Sequence, residues 1–163
     1  MKLILLKIFQ VVLFLCTVPA WGADFIPAIT NYTVKDYQGA HQNWACAQGD
    51  DGVMYFGNNN GLLVYDGFSW ELHKVPGGYI VRSVFVDKDK IYIGSFEEFG
   101  YFTRNVTGGM EYHSLSAKVK NQVAPNDEIW HIVRLEGKIY FQSFTRWYAF
   151  DGKEVTCMSR EAD

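Results

Sequence analysis

The chain has 163 residues, 15 basic and 18 acidic, for a formal net charge of −3, and 17% of it is aromatic. With 48% hydrophobic residues and only four prolines, this is the composition of a folded, β-rich protein and not of a disordered one. No Lys/Arg cluster interrupts it, which argues against nucleic acid as a partner.

The first 22 residues have the layout of a secretory leader. Lys2 and Lys7 give a basic start, residues 8–16 are apolar apart from Gln10, and Ala20-Trp21-Gly22 places small residues where a signal peptidase reads. Cleavage is expected between Gly22 and Ala23. The apolar run falls well short of the roughly 20 residues a membrane helix needs, and no later segment supplies them. Leu15 is bulky where a lipoprotein needs a small residue before Cys16. Loss of the leader leaves 13 basic and 18 acidic residues, a net charge of about −5, and two cysteines, Cys46 and Cys157. An exported protein could oxidise this pair. Their places in the first and last structural units favour two free thiols instead.

Beyond the leader, helical periodicity is confined to one short turn near residues 116–123, ended by Ala124-Pro125-Asn126. Alternation dominates elsewhere. Three times a tyrosine-led strand is followed by a polar turn and a second aromatic strand, led by Tyr55, Tyr92 and Tyr140. The intervals are 37 and 48 residues, close to the repeat of a β-propeller blade. Asp/Gly-rich breakers precede each of these strands: Gly49-Asp50-Asp51-Gly52, Asp87-Lys88-Asp89-Lys90 and Glu136-Gly137-Lys138. Counting eleven residues back from each tyrosine reaches Trp44, Val81 and Ile129, each in another apolar strand.

Four strands per unit follow: 43–48, 53–57, 62–65 and 69–74; 80–87, 90–95, 98–104 and 110–115; 128–134, 138–143, 146–150 and 154–158. Residues 116–127 form an insertion that accounts for the longer second interval. The expected fold is all-β, an incomplete β-propeller of about three four-stranded blades over residues 23–163 (blades 43–74, 80–115 and 128–158). Blades stabilise one another through their faces. The outer faces of the first and third are expected to lie uncovered, leaving the isolated chain marginal or prone to assemble.

Glu97-Glu98 is an adjacent carboxylate pair on a turn. Glycosidases need two carboxylates across a bond, so this pair reads as a solvated turn with a sugar- or cation-contacting role if it faces the ring opening. Trp44 and Trp130 suit interblade packing, given the area an indole buries. Trp147 follows Arg146 near the turn that matches Asn58-Asn59-Asn60 and Glu97. The candidate ligand contacts are therefore Arg146, Trp147, Glu97, Glu98 and Asn59. No nucleophile elbow or phosphate loop occurs, and Gly57-Asn58-Asn59-Asn60-Gly61 reads as a hairpin. His41, His73, His113 and His131 are too evenly spread for a metal motif. Neither enzyme activity, a metal nor a cofactor is expected.

The run Gly52-Val53-Met54-Tyr55-Phe56-Gly57-Asn58-Asn59-Asn60-Gly61-Leu62-Leu63-Val64-Tyr65-Asp66-Gly67 resembles the two-component regulator propeller repeat. In the second copy Glu98-Phe99 replaces the Gly-Leu of that pattern. In the third Trp147-Tyr148 does so, with Gln142 in place of a glycine. The strings Val81-Arg82-Ser83-Val84, Ile91-Tyr92-Ile93-Gly94-Ser95-Phe96-Glu97-Glu98-Phe99-Gly100-Tyr101 and Asp127-Glu128-Ile129-Trp130 are similar to the start of the exported sensor regions of membrane-bound regulators in Bacteroidetes-type bacteria. The resemblance covers roughly residues 31–158. It implies a periplasmic or secreted, non-catalytic sensor segment of a signal-transducing transcriptional regulator, with a glycan as ligand. The remaining blades, a β-sandwich, a membrane helix and a kinase or helix-turn-helix output would lie beyond residue 163, so the chain reads as a truncated fragment. The alternative is a small exported scaffold that completes its ring with copies of itself or another chain.

Overall fold

The computed structural model describes residues 27–159, together with Ile4 and Lys7; the expected cleavage site at Gly22 and Ala23 lies outside the described residues. The chain divides into two units, Met1–Asn31 and Tyr32–Asp163. The second contains three four-stranded antiparallel sheets, each a simple meander. Blade 1 comprises β1 (Asn43–Gln48), β2 (Met54–Asn58), β3 (Gly61–Tyr65) and β4 (Trp70–His73). Blade 2 comprises β5 (Ser83–Asp87), β6 (Lys90–Gly94), β7 (Phe99–Arg104) and β8 (Met110–Ser114). Blade 3 comprises β9 (Ile129–Leu135), β10 (Lys138–Ser143), β11 (Arg146–Phe150) and β12 (Val155–Ser159). The first strands, β1, β5 and β9, pack against one another in that order and form the inner edge of an open fan. This is an incomplete propeller.

Turn chemistry explains the strand ends. Glu136 and Gly137 both have positive φ between Leu135 and Lys138, the geometry of a two-residue hairpin whose twist matches its strands. On the outer turns, Asp66 Oδ1 accepts the Phe68 and Ser69 N–H groups, and Asp151 Oδ1 accepts those of Lys153 and Glu154. Asn105 does the same for Thr107 and Gly109 in blade 2. These side-chain bonds replace backbone turns and end each third strand at an equivalent place. The insertion contains a 3-10 segment, Ser116–Gln122. Its start is held by Glu98, whose carboxylate accepts the hydroxyls of Tyr112, Ser114 and Ser116 at 2.7–2.8 Å.

Each blade junction is an apolar layer. Between blades 1 and 2 lie Tyr55, Leu62, Val64, Val75, Val81, Ile91, Ile93 and Phe102. Between blades 2 and 3 the layer is more aromatic, with Tyr92, Phe99, Phe141, Tyr148 and Phe150. The Phe99 ring centroid sits 4.8 Å from that of Phe141 and 4.7 Å from that of Tyr148, both tilted contacts within the favourable distance range. Glycine permits the close approach at both junctions. A Cβ on Gly57 would meet the Val81 carbonyl oxygen at 2.8 Å, and one on Gly94 would meet Ile129 Cγ2 at 2.5 Å. Backbone bonds cross at the same level, from the Val81 N–H to Asn58 O and from the Ile129 N–H to Ser95 O.

The two outer faces of the fan differ, and one corrects the expectation from sequence. The outer face of blade 1 is covered by residues 32–42, which include a single helical turn, Val34–Tyr37. Tyr32 and Tyr37 pack on Trp70 with ring centroids 5.3 and 5.6 Å away. Asn58, fully buried, holds the strap from inside: its amide donates to Ala40 O, Gln42 O and Asn43 Oδ1 and accepts the Ala40 and Asn60 N–H groups. The outer face of blade 3 follows the expectation, with Val133, Leu135 and Met158 exposed. Cys46 and Cys157 are both free thiols.

Candidate functional site

The inner edge of the fan gathers its chemistry at one end. In β1 the register shifts between Asn43 and Ala45, leaving Trp44 as an extra residue; in β9 a matching shift opposite Gln142/Ser143 leaves Trp130. Such bulges re-aim a side chain out of the regular alternation. Arg82 occupies the same level in blade 2, directly before Ser83, the partner of Gly94, with its N–H bonded to Gly94 O. Trp44, Arg82 and Trp130 are therefore equivalent residues of three blades.

They meet. The Arg82 guanidinium carbon lies 3.9 Å from the Trp44 ring centroid and 5.4 Å from that of Trp130. Two indole faces around one guanidinium is a cation–π arrangement that tolerates partial burial of the charge. Glu128 completes it, accepting from Arg82 Nε at 3.1 Å and Nη2 at 3.0 Å. Asn59 Oδ1 accepts the Trp44 Nε1–H at 2.6 Å and fixes that ring. Two buried donors of this cluster, Arg82 Nη1 and Trp130 Nε1, find no acceptor among the described residues, as does Trp70 Nε1 under the strap.

Beside this cluster a cavity of about 390 Å³ is lined by Trp130, His131, Gln142, Ser143 and Phe144. Its volume falls in the range of ~300–1,000 Å³ typical of small-molecule sites. Phe144 is 63% exposed, and its ring centroid lies 5.7 Å from that of Trp130. The buried Asp127 carboxylate sets the Phe144 turn. It accepts Ser143 Oγ, Thr145 Oγ at 2.6 Å, and the Phe144 and Glu128 N–H groups at 3.0 Å. Burial raises its pKa, but these four bonds to the ionised form outweigh that and hold it below the ordinary 3.8. Among the described residues, no group of three or more His, Cys, Asp or Glu is placed to hold a metal ion.

The residues singled out from sequence sit on or beside three equivalent turns, Arg146 and Trp147 at the start of β11, but do not converge. Asn59 belongs to the indole cluster. Glu97, at φ 53°, accepts the Asn126 N–H at 2.5 Å and so braces the insertion. Glu98 is enclosed by its three hydroxyls, and the neighbouring negative charge, after burial itself, pushes the Tyr112 phenol far up. Arg146 donates to the Gln122 carbonyl. Trp147 pairs with Gln142 and lies on the uncovered face of blade 3, half-buried. Arg82 and Phe144 were not singled out. The eleven-residue count hides Arg82, because the hairpin before Tyr55 is one residue longer than the other two: Tyr55 pairs with Ala47, Tyr92 with Phe85 and Tyr140 with Val133. Aligning on those pairs places Arg82 with Trp44 and Trp130.

No protein-family model matches the chain, and no curated protein matches it by sequence. Solved structures do match. One is the extracellular domain of the putative one component system BT4673 from B. thetaiotaomicron, with a TM-score of 0.65 at 15% identity over 81% of this chain. Another is described as the extracellular domain of the putative hybrid two component system BT4673 from the same organism, with a TM-score of 0.55 at 16% identity over 74% of this chain. The chain spans 18% and 17% of the lengths of those domains. Among the described residues no helix is long and apolar enough to cross a membrane. The likeness establishes the fold: three blades of the kind found in extracellular domains of bacterial sensor systems.

Proposed function

We propose that the chain is a segment of an extracytoplasmic sensor region, exported through its leader, that recognises a ligand without transforming it. The observation that carries this reading is the inner edge itself. Trp44, Arg82, Trp130 and Phe144 offer stacking faces and unpaired donors, while the carboxylates nearby are engaged: Glu128 with Arg82 and Asp127 with its four donors. A site of aromatic faces with few polar groups binds and orients, and supplies no free acid–base pair. A glycan is the ligand class that suits aromatic faces at an exported surface. Further blades of the same polypeptide, packed on the open face of blade 3, are the expected neighbours within the molecule.

The test is genetic. In-frame deletion of codons 32–159 in the source bacterium should abolish induction of one set of carbohydrate-responsive transcripts, read across a panel of polysaccharides as carbon source. Induction unchanged on every carbon source would overturn the sensor reading. A scaffold that completes its ring by self-assembly predicts instead a defined oligomer of the purified chain and no transcriptional effect.

A further inference from the structure

One turn of blade 1 holds two things at once. Asn58, at the end of β2, ties down the strap through Ala40, Gln42 and Asn43, while Asn59 beside it fixes the Trp44 indole of the inner edge. The Asn59 N–H also donates to the Gln42 carbonyl at 3.2 Å. From Trp44 the contacts run on into the other blades. The Arg82 guanidinium of blade 2 lies over that ring, and its Nε and Nη2 donate to Glu128 at the entry to blade 3. The Glu128 N–H donates to Asp127 Oδ1, which also accepts the Phe144 N–H of the turn after β10. A continuous set of contacts therefore joins the strap to the third blade, and Arg82 is its middle member.

We propose that the inner edge and the strap form one conformational device, with Arg82 as the positioning residue that couples them: the strap is docked while the guanidinium is clamped, and loosens when the clamp opens. Its regulatory purpose rests on the sensor reading. A ligand that engages the two indoles as they stand here binds the clamped state, and by linkage tightens the strap. The Arg82 side chain, 14% exposed, meets the Trp44 face with its plane and Glu128 with its fork. It cannot leave one without disturbing the other, and a lysine has neither the plane nor the fork. Both ends of the device also carry a cost that keeps it poised. Clamping buries Arg82 Nη1 without an acceptor, and docking the strap does the same to Trp70 Nε1, among the described residues. Water reaches both groups in the open state. The docked, clamped arrangement is thus held by the linked contacts together and opposed by an unmet donor at each end.

The test uses the full exported chain and needs no ligand. The reporter is the Ala40 amide, whose N–H donates to Asn58 Oδ1 at 2.8 Å. Arg82→Lys, in blade 2, should lower the hydrogen-exchange protection of that amide by about tenfold, within the range of ordinary coupling between sites. Phe141→Leu, which loosens the layer between blades 2 and 3 without touching the clamp, should leave Ala40 unchanged. Coupling is reciprocal, so Asn58→Ala should in turn shift the indole N–H resonance of Trp130 on the third blade. Unchanged Ala40 protection in Arg82→Lys would overturn the proposal. An equal loss in Phe141→Leu would overturn it too, because the strap would then follow overall stability alone. A Trp130 resonance indifferent to Asn58→Ala would contradict the reciprocal half. None of these results bears on the deletion phenotype, so failure of the device and failure of the sensor reading are separable.

Discussion

At the scale of single residues, the fan depends on what is absent at Gly57 and Gly94. A Cβ at Gly94 would press on the Ile129 side chain, and one at Gly57 on the Val81 backbone, so neither neighbour can yield without moving a blade. Gly57→Ala and Gly94→Ala should each destabilise by about 1–3 kcal/mol, the usual cost of overpacking, read as a shift in urea midpoint. Gln142→Gly should cost less than about 1 kcal/mol in this chain, because among the described residues no blade presses on it. A second residue sets the acid limit. The Asp127 carboxylate lies below its ordinary 3.8 in the folded chain, so its contribution is complete above about that pH and is lost as pH falls through the lower folded value. Asp127→Asn should flatten the fall in stability below pH ~4 while lowering stability at neutral pH. An unchanged acid limb in the variant would assign acid loss to other carboxylates.

At the scale of elements, the strap over blade 1 is held by one side chain. Asn58 satisfies five groups of the strap, the turn and β1. Asn58→Ala would take from the half-buried Ala40 its partner for both N–H and carbonyl, while the Gln42 carbonyl keeps the Asn59 N–H, and should cost about 2 kcal/mol. Amide exchange should show residues 40–42 losing protection first. This element also marks where sequence stops being legible. Strands, turns and the insertion follow from alternation, Asp-Gly turns and the tyrosine repeat, all local patterns, and their observed ends differ by only a few residues. β5, for example, begins at Ser83 where residue 80 was expected, because the Val81 N–H bonds across the junction to Asn58 O and not to a strand of its own blade. The strap has no periodicity of its own; its tyrosines and Asn58 meet only in the folded state. Arg82 is hidden differently, by a one-residue difference in hairpin length that no composition reveals. Trp44 and Trp130 stood out in the sequence as indoles on inner strands, but that they flank a guanidinium depends on bulges set by β2 and β10.

At the scale of the whole molecule, the three blades are unequal. Blade 2 is covered on both faces by its neighbours, blade 1 by blade 2 and the strap, and blade 3, among the described residues, on one face only. Cooperative units with fewer buried contacts open more readily. Hydrogen exchange of the purified chain should therefore be slowest in β6 and β7 and faster in β10 and β11. Equal protection of the third blade would mean that its open face is covered, by self-association or by a rearranged strap. The exposed Val133, Leu135 and Met158 give self-association a surface, and a concentration-dependent sedimentation coefficient would report it.

The central claim, recognition without chemistry, is tested most directly by equilibrium binding of the purified chain to a panel of polysaccharides and their oligosaccharides, with reducing ends measured in the same samples. The account predicts saturable binding to one glycan class, reduced by Arg82→Ala and Trp130→Ala, with no new reducing ends formed. Release of reducing ends, abolished by the same substitutions, would contradict it.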